Sequence, residues 1–463
     1  MEEAIDGRWG ELLTRRYAAT VTTLCLGVAL YALNAFLVST SLPTAVVELG
    51  GVGLISWAFT VFLVAAIVGG AASAMLKQRF GTRPALLLAA LAFLAGTLVC
   101  GFATSMPMVL VGRLAQGAGE GVIAAVCYAL IPEMFPSRLI PKVFGAEAIV
   151  WAAAAFGGPL LSGVLTETVS WRAAFLINVP LIAVFAVLVG MVVPAERGRG
   201  GGTVPVLRLS GCAAGIMLVS VAGIVPHSWQ AALCVAAALL LLAVVVLADR
   251  RSRDRLFPSD AFTFGSTVGA GLWVVLLMPV AQAATTVYLN ITIQHLWGYG
   301  PTMAGYVSAL MALSWSGSAV LVAGIVRPEG QRRLIRLGPF LLALGLLGVM
   351  AALATGQPWL LMLCQVLIGA GFGISWAFLS QAVMEAAQPG ERDAASALLP
   401  TLQSGGYAIG AAVAGLIANE AGMAAALTPG AIVHAATWVF GIAALLGTLG
   451  FLASFGVRPG RPS

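Results

Sequence analysis

Two ionisable residues sit where this chain is otherwise almost free of charge. In "RLAQGAGEGV", residues 113–122, Arg113 and Glu120 lie seven residues apart inside an apolar run. On a helix that spacing is two turns, ~10 Å along the axis and roughly one face. A third, Glu147, stands in the next apolar run. Charged side chains at the centre of a bilayer are costly and normally face a cavity or a partner. Desolvation favours the neutral form of any carboxyl, and a group balanced between its two forms near neutral pH is what a reversible proton carrier needs. Arg113 is too distant for an assured direct bridge to Glu120, but favours its ionised form whenever water or a conformational change joins them. The competing reading is a static charge pair, or a glutamate held by helix hydroxyls and amides. Glu147 lies ~9 Å from the centre of its run. It either relays protons to Glu120 or pairs with Lys142 or Arg138.

The elements that must position these groups are membrane helices. Sixty per cent of the residues are hydrophobic and 9% are charged, against about 25% charged in a soluble domain. Apolar runs of about 20 residues, each able to cross ~30 Å of hydrocarbon, recur from end to end. A transmembrane barrel would instead show ~10-residue alternating segments. The fold class is therefore an all-α polytopic membrane protein. Hydropathy, broken at proline, glycine and charge clusters, gives fourteen helices: 18–42, 53–76, 84–104, 107–131, 142–165, 173–194, 207–225, 229–248, 263–291, 301–326, 334–355, 357–384, 394–419 and 431–456. With both termini cytoplasmic, 22 of the 24 basic residues fall in inner loops, as the positive-inside rule requires. Only Arg172 lies outside and only Arg113 lies mid-membrane. The net charge of +6 is thus topological and does not mark nucleic-acid binding. The N-terminal stretch lacks a cleavage site of small residues, so the first helix is expected to remain as a span.

Helices 207–225 and 229–248 are joined by the short turn "PHS" and flanked by the loops "PAERGRGGGTVP" and "DRRSRDRLFPSD". They read as an insert between two halves. The domains are then 1–194, an N-terminal six-helix bundle; 195–262, two inserted helices with cytoplasmic loops; and 263–463, a C-terminal six-helix bundle. An internal repeat supports the halves. Shifted by 252 residues, "RLAQGAGEGV" lies over "QVLIGAGFGI", and Gly117, Gly119 and Gly121 align with Gly369, Gly371 and Gly373. Shared glycines read as scaffold, because small residues let helices approach closely. The charges are not shared, since Gln365 and Phe372 stand opposite Arg113 and Glu120.

The motifs "RLAQGAG", "FGGPLLSG" and "WRAAFLINVP" resemble signatures of the major facilitator superfamily, and the helix count resembles its fourteen-helix drug:proton antiporter family. The resemblance implies two six-helix bundles rocking around a central cavity, with two accessory helices outside them. It implies gating roles for Gly158, Pro159 and Gly163, where proline bends the helix and glycine permits close packing. It also implies a gating loop at "AMLKQRFGTRP". There Gln78 replaces the expected Asp, and Arg79, Gly81 and Arg83 follow; gating then rests on hydrogen bonds from Gln78, or the gate is weaker. Nine residues before Pro43 the family places an Asp that carries protons. Here Asn34 stands in its place, to pack or to contact a ligand.

A cavity lining needs aromatics and a few amides. The candidates are Asn34, Gln116, Tyr128, Trp151, Gln282, Tyr288, Asn290, Trp376, Gln381, Gln403 and Tyr407, each of which also reads as core or as an interfacial anchor. Trp171, Trp229, Trp297 and Trp359 read as interfacial belt residues, and the six cysteines as small core residues. The three histidines are too scattered for a metal site. With no phosphate-binding loop, no cofactor is expected and the proton gradient supplies the energy. Neither a buried Ser–His pair nor clustered loop acids mark an intramembrane enzyme.

The expectation is a proton-coupled exporter of hydrophobic or amphipathic small molecules in a bacterial cytoplasmic (inner) membrane. Glu120, Glu147 and Arg113 would couple the proton. Its partners would be a small-molecule or lipid-like substrate, protons and the bilayer, with no nucleic acid, and the chain would be a monomer. The alternative is a lipid or endogenous-metabolite exporter, or a facilitator without proton coupling.

Overall fold

The computed structural model describes residues 9–136, 139–195, 206–250, 258, 260–263, 265–322, 324–325, 327–388, 392–425 and 427–458. Several basic loop residues used for the topology (Arg8, Arg138, Arg197, Arg199, Arg251, Arg253, Arg255 and Arg461) lie outside them. Every described regular element is helical: α1 (Trp9–Leu12), α2 (Ala18–Glu48), α3 (Ile55–Phe80), α4 (Thr82–Gly101), α5 (Met106–Met134), α6 (Ile140–Thr168), α7 (Trp171–Leu176), α8 (Asn178–Val192), α9 (Val206–Ala222), α10 (Ser228–Arg250), α11 (Thr267–Ala284), α12 (Asn290–Trp297), α13 (Pro301–Val322), α14 (Pro328–Thr355), α15 (Pro358–Ala386), α16 (Arg392–Glu420) and α17 (Pro429–Ser454). A 3-10 turn, Val52–Leu54, precedes α3, and a π-helical segment, Thr285–Leu289, joins α11 to α12.

Thirteen spans among the described residues are long and apolar enough to cross a membrane, counting α7 with α8 and α11 with α12 as one each. Among the described residues each of the fourteen segments expected from the sequence overlaps a helix, the expected 301–326 ending at Val322. The expected 207–225 helix ends earlier, at Ala222, so that α9 is the short one.

One span is broken for a local reason. Pro180 has no N–H to offer the carbonyl of Leu176, and the Asn178 side chain donates to the carbonyl of Phe175 (3.2 Å), which separates α7 from α8. Pro43, Pro159 and Pro279, by contrast, sit inside α2, α6 and α11 without ending them. The chain forms two compact units, Met1–Ala45 with Val64–Val206, and Val46–Leu63 with Leu207–Ser463.

In the first unit, α4 packs along α5 and α8 around a core that includes Phe93, Ile123, Leu130 and Phe185. Glycines set the spacing. A Cβ on Gly119 would meet the Phe93 amide at 2.6 Å, and one on Gly121 would fall on the carbonyl of Ala66 in α3. The second unit repeats this with α15 between α13 and α14: a Cβ on Gly371 would lie 2.6 Å from the carbonyl of Gly338, and those on Gly369 and Gly373 would fall on Met311 and Trp315 carbonyls. Backbone-to-backbone approach of this kind holds helices together where lipid removes the hydrophobic drive for association.

The pair α9–α10 groups with the second unit. A Cβ on Gly215 would lie 2.8 Å from Leu242, and Val219 and Ala238 form a buried cluster with Ala412 of α16. Arg208 of α9 pairs with the fully buried Asp249 of α10. One aromatic expectation is overturned. Trp171 is buried, packed edge-on to Phe175 with the Arg172 guanidinium over its ring (4.3 Å). Arg172 also donates to the carbonyl of Ala103 (2.9 Å), so this corner staples α7 to the α4–α5 connection, and Trp171 is not a belt residue. Trp229 and Trp359 are exposed, as a belt requires.

Candidate functional site

The polar interior of the first unit is assembled by α5 and the two helices it faces. Glu120 is completely buried. Its Oε2 accepts a hydrogen bond from the Asn34 Nδ2 of α2 (3.0 Å), while Oε1 has no hydrogen-bond partner among the described residues. Two turns away, Arg113 is 2% exposed. It donates to Gln116 Oε1 (2.9 Å), and Gln116 donates in turn to the Thr97 hydroxyl of α4 (2.9 Å). Gln116 thereby bridges the arginine to α4 from an entirely buried position.

Tyr31 of α2 lies within electrostatic reach of both Glu120 and Arg113, and its ring meets Trp151 of α6 edge-on at 5.7 Å. Glu147 of α6 is 3% exposed, and neither carboxylate oxygen has a hydrogen-bond partner among the described residues. The side chains within electrostatic reach of it include Cys25, Cys127 and Tyr128. Tyr128 stacks on Phe144 at 6.1 Å and also reaches Tyr31 electrostatically. Lys142, one expected partner of Glu147, instead places its ammonium over the Trp9 ring (5.7 Å); Arg138 lies outside the described residues. Tyr31 thus lies near Glu120 and Tyr128 near Glu147, while Arg113 is the cation on the Glu120 side.

In the second unit, the polar groups concentrate where α11 passes into α12. Gln282 donates to Thr286 (3.1 Å) and to the Met311 sulfur (3.0 Å), and Asn290 accepts from Ser308 (2.6 Å). Tyr288, inside the π segment, is buried. Opposite the place of Glu120, Phe372 is buried and stacks on Trp315 at 4.6 Å, with Trp376 6.1 Å away. Gln365, in the place of Arg113, is buried with its Oε1 unpartnered among the described residues. Gln381 differs from these: it is exposed and donates to Glu385 (2.6 Å) near the end of α15. Gln403 and Tyr407 lie half-buried on α16.

At the α3–α4 connection, Gln78 and Arg79 are exposed, Arg79 lying over Phe80 (5.5 Å). Gly81 adopts φ +91°, in the left-handed region that favours glycine. Arg83 donates to the carbonyl of Val193 (2.6 Å), and Lys77 pairs with Glu133 of α5 (2.5 Å). The ionic contact here thus runs through Lys77, which sequence reasoning did not single out. Its signal was an acid at the end of the neighbouring helix. On α6, a Cβ on Gly158 would lie 2.7 Å from that of Phe36, and Ser162 donates to the carbonyl of Leu37 (2.7 Å). Gly163 is also buried, and the segment around Pro159 is thus a packing face against α2.

The model of the Major Facilitator Superfamily matches residues 24–210 and 186–411. The chain belongs to this superfamily. It is accordingly a multi-pass membrane protein of a transporter family. A relative named "Probable multidrug-efflux transporter", from Mycobacterium tuberculosis (strain ATCC 25618 / H37Rv), is 32% identical over 466 residues, covering 97% of this chain and 96% of that protein. "Multidrug resistance protein 3" of Bacillus subtilis (strain 168) is 24% identical over 434 residues, covering 87% of this chain and 80% of that one. Among solved structures, a D-xylose–proton symporter superposes with a TM-score of 0.67 at 18% identity, over 96% of this chain and 98% of the other. A peptide transporter in complex with alafosfalin does so with a TM-score of 0.70 at 15% identity, over 95% of each chain. At those identities the likeness is one of fold.

Proposed function

We propose that the chain is a proton-coupled antiporter that exports hydrophobic or amphipathic small molecules across a bacterial cytoplasmic membrane. Both termini face the cytoplasm, and the chain acts as a monomer of two six-helix bundles plus the α9–α10 pair. The observation that carries this reading is the Glu120 carboxyl, wholly buried, with one oxygen held by Asn34 and the other unpartnered among the described residues. Such a group can take a proton without breaking its existing bond, and its ionised form is expensive unless something compensates it. Arg113, held by Gln116 on the same helix, is the cation within electrostatic reach. Glu147 supplies a second buried carboxyl on the neighbouring α6, both of its oxygens without a hydrogen-bond partner among the described residues. A ligand and a proton that each favour one cavity orientation are coupled by that difference in affinity alone. The relatives' names support efflux of drug-like molecules. With Asn34 in place of an acid, neutral or anionic amphiphiles suit the site better than strongly cationic ones. The proton gradient is the energy source and no cofactor takes part.

The test is transport of a fluorescent amphiphile in proteoliposomes under an imposed pH gradient. Glu120→Gln is expected to reduce gradient-driven accumulation at least tenfold while leaving downhill exchange in place. Unchanged gradient-driven transport would remove Glu120 as the carrier. If no variant and no gradient matters at all, the chain is an uncoupled exporter or facilitator.

A further inference from the structure

The accessory pair α9–α10 takes no part in the proton chemistry above, yet one of its ends is fastened to α16. Just past α9, Gly223 meets α16 with no side chain between: a Cβ there would lie 2.9 Å from the Cα of Leu416. Three residues further along α16, the Asn419 carboxamide uses one nitrogen for two bonds. Nδ2 donates to the carbonyl of Gly223 (2.9 Å) and to that of Gly53 (2.9 Å). Gly53 belongs to the 3-10 turn that leads into α3. Both partners are carbonyls, so only the NH2 side of the amide can face them. Aspartate has no donor to offer and serine has one, so few side chains could replace Asn419. One turn earlier on α16, Gly415 lies directly against Ser56 of α3.

We propose that Asn419 is a positioning residue that ties the accessory pair to the start of α3, making the pair part of the gate at this end of the transporter. Residues 46–63 pack with the second unit, whereas the remainder of α2 and α3 belongs to the first. Alternating access opens this end in one phase of the cycle, and opening separates Gly53 and Ser56 from α16. Because a single nitrogen serves both carbonyls, displacing α9 also loosens the hold on α3. The two helices then set how readily this end opens, while substrate and proton chemistry lie elsewhere.

Under the proposed orientation this end faces outward, so a membrane-impermeant maleimide applied to intact cells reads it. The reporter is Ser56→Cys, buried in the wild type, corrected for labelling of the six native cysteines in the parent. Trp229→Cys, at a residue 65% exposed, checks the side. If it labels only in inverted vesicles, the orientation is wrong and the same measurement is made there. Asn419→Asp is expected to raise the Ser56→Cys labelling rate between about five- and hundredfold, the range two lost neutral hydrogen bonds imply for an opening equilibrium, and Gly223→Ala to raise it about two- to tenfold, the range for one. Buried native Cys127 and Cys364 should stay as slow as in the parent; their exposure would report unfolding and overturn the gating role. No change with Asn419→Asp sinks the clamp. A rise with Asn419→Asp and none with Gly223→Ala shows that the pair is a bystander, and the proposal fails.

Discussion

At the scale of single residues, Asn34 and Glu120 act as a pair. The amide reaches the carboxylate at 3.0 Å across 86 residues of chain, and both are fully buried. Removing one partner strands the other, which costs about 1–3 kcal/mol in a buried site and more where charge is involved. Asn34→Leu should therefore destabilise the wild type by that amount but cost clearly less in a Glu120→Leu background. Thermal unfolding of the four proteins measures the coupling, and equal costs in both backgrounds would show that the bond contributes nothing. That Glu120 and Glu147 lie buried among the helices was legible in the sequence because charge inside an apolar run is conspicuous. Asn34 as the partner was not, since an asparagine in a helix carries no signal of what it faces. Trp171 misled for a related reason: its place near a span end implies a lipid interface, but the neighbouring Arg172 and Phe175 enclose it.

At the scale of elements, the glycine repeat was readable and has a direct structural meaning. Gly121 and Gly373 each lie where a Cβ would strike the backbone of a neighbouring helix, so the 252-residue shift copies a packing rule rather than a site. Gly121→Ala should cost about 1–3 kcal/mol through overpacking. Gly157→Ala, where a Cβ meets nothing within 4 Å, should be neutral or stabilise by up to about 1 kcal/mol. Thermal midpoints of the two variants separate these cases. The α3–α4 connection gives a third expectation. Lys77 and Glu133 are partly solvated, so Lys77→Ala should change stability by less than about 1 kcal/mol. Exchanging the two charges should restore whatever transport the single reversals lose; failure of the exchange would mean the pair is incidental. That contact was not legible in the sequence because Lys77 and Glu133 lie 56 residues apart on different helices and only packing brings them together.

At the scale of the whole molecule, nearly every span was legible, since hydropathy and the distribution of Arg and Lys both follow from the bilayer as solvent. What was not legible is where spans break without a simple signal. The topology makes its own prediction: Gln78→Cys, exposed in the last turn of α3, should react with an impermeant thiol reagent only in inverted vesicles. Reaction in intact cells would reverse the orientation. The π segment Thr285–Leu289 carries a further consequence. In an unbroken α-helix Gln282 and Asn290, eight residues apart, would point roughly 80° from each other. A π-bulge accommodates one surplus residue, which brings them to within roughly 20°. That alignment lets both reach one face of α13, at Met311 and Ser308. The span therefore holds one residue of slack. Passing that residue along the helix would turn the stretch it crosses by about 100° and shift it by about 1.5 Å along the axis, which makes this stretch a swivel set inside a rod.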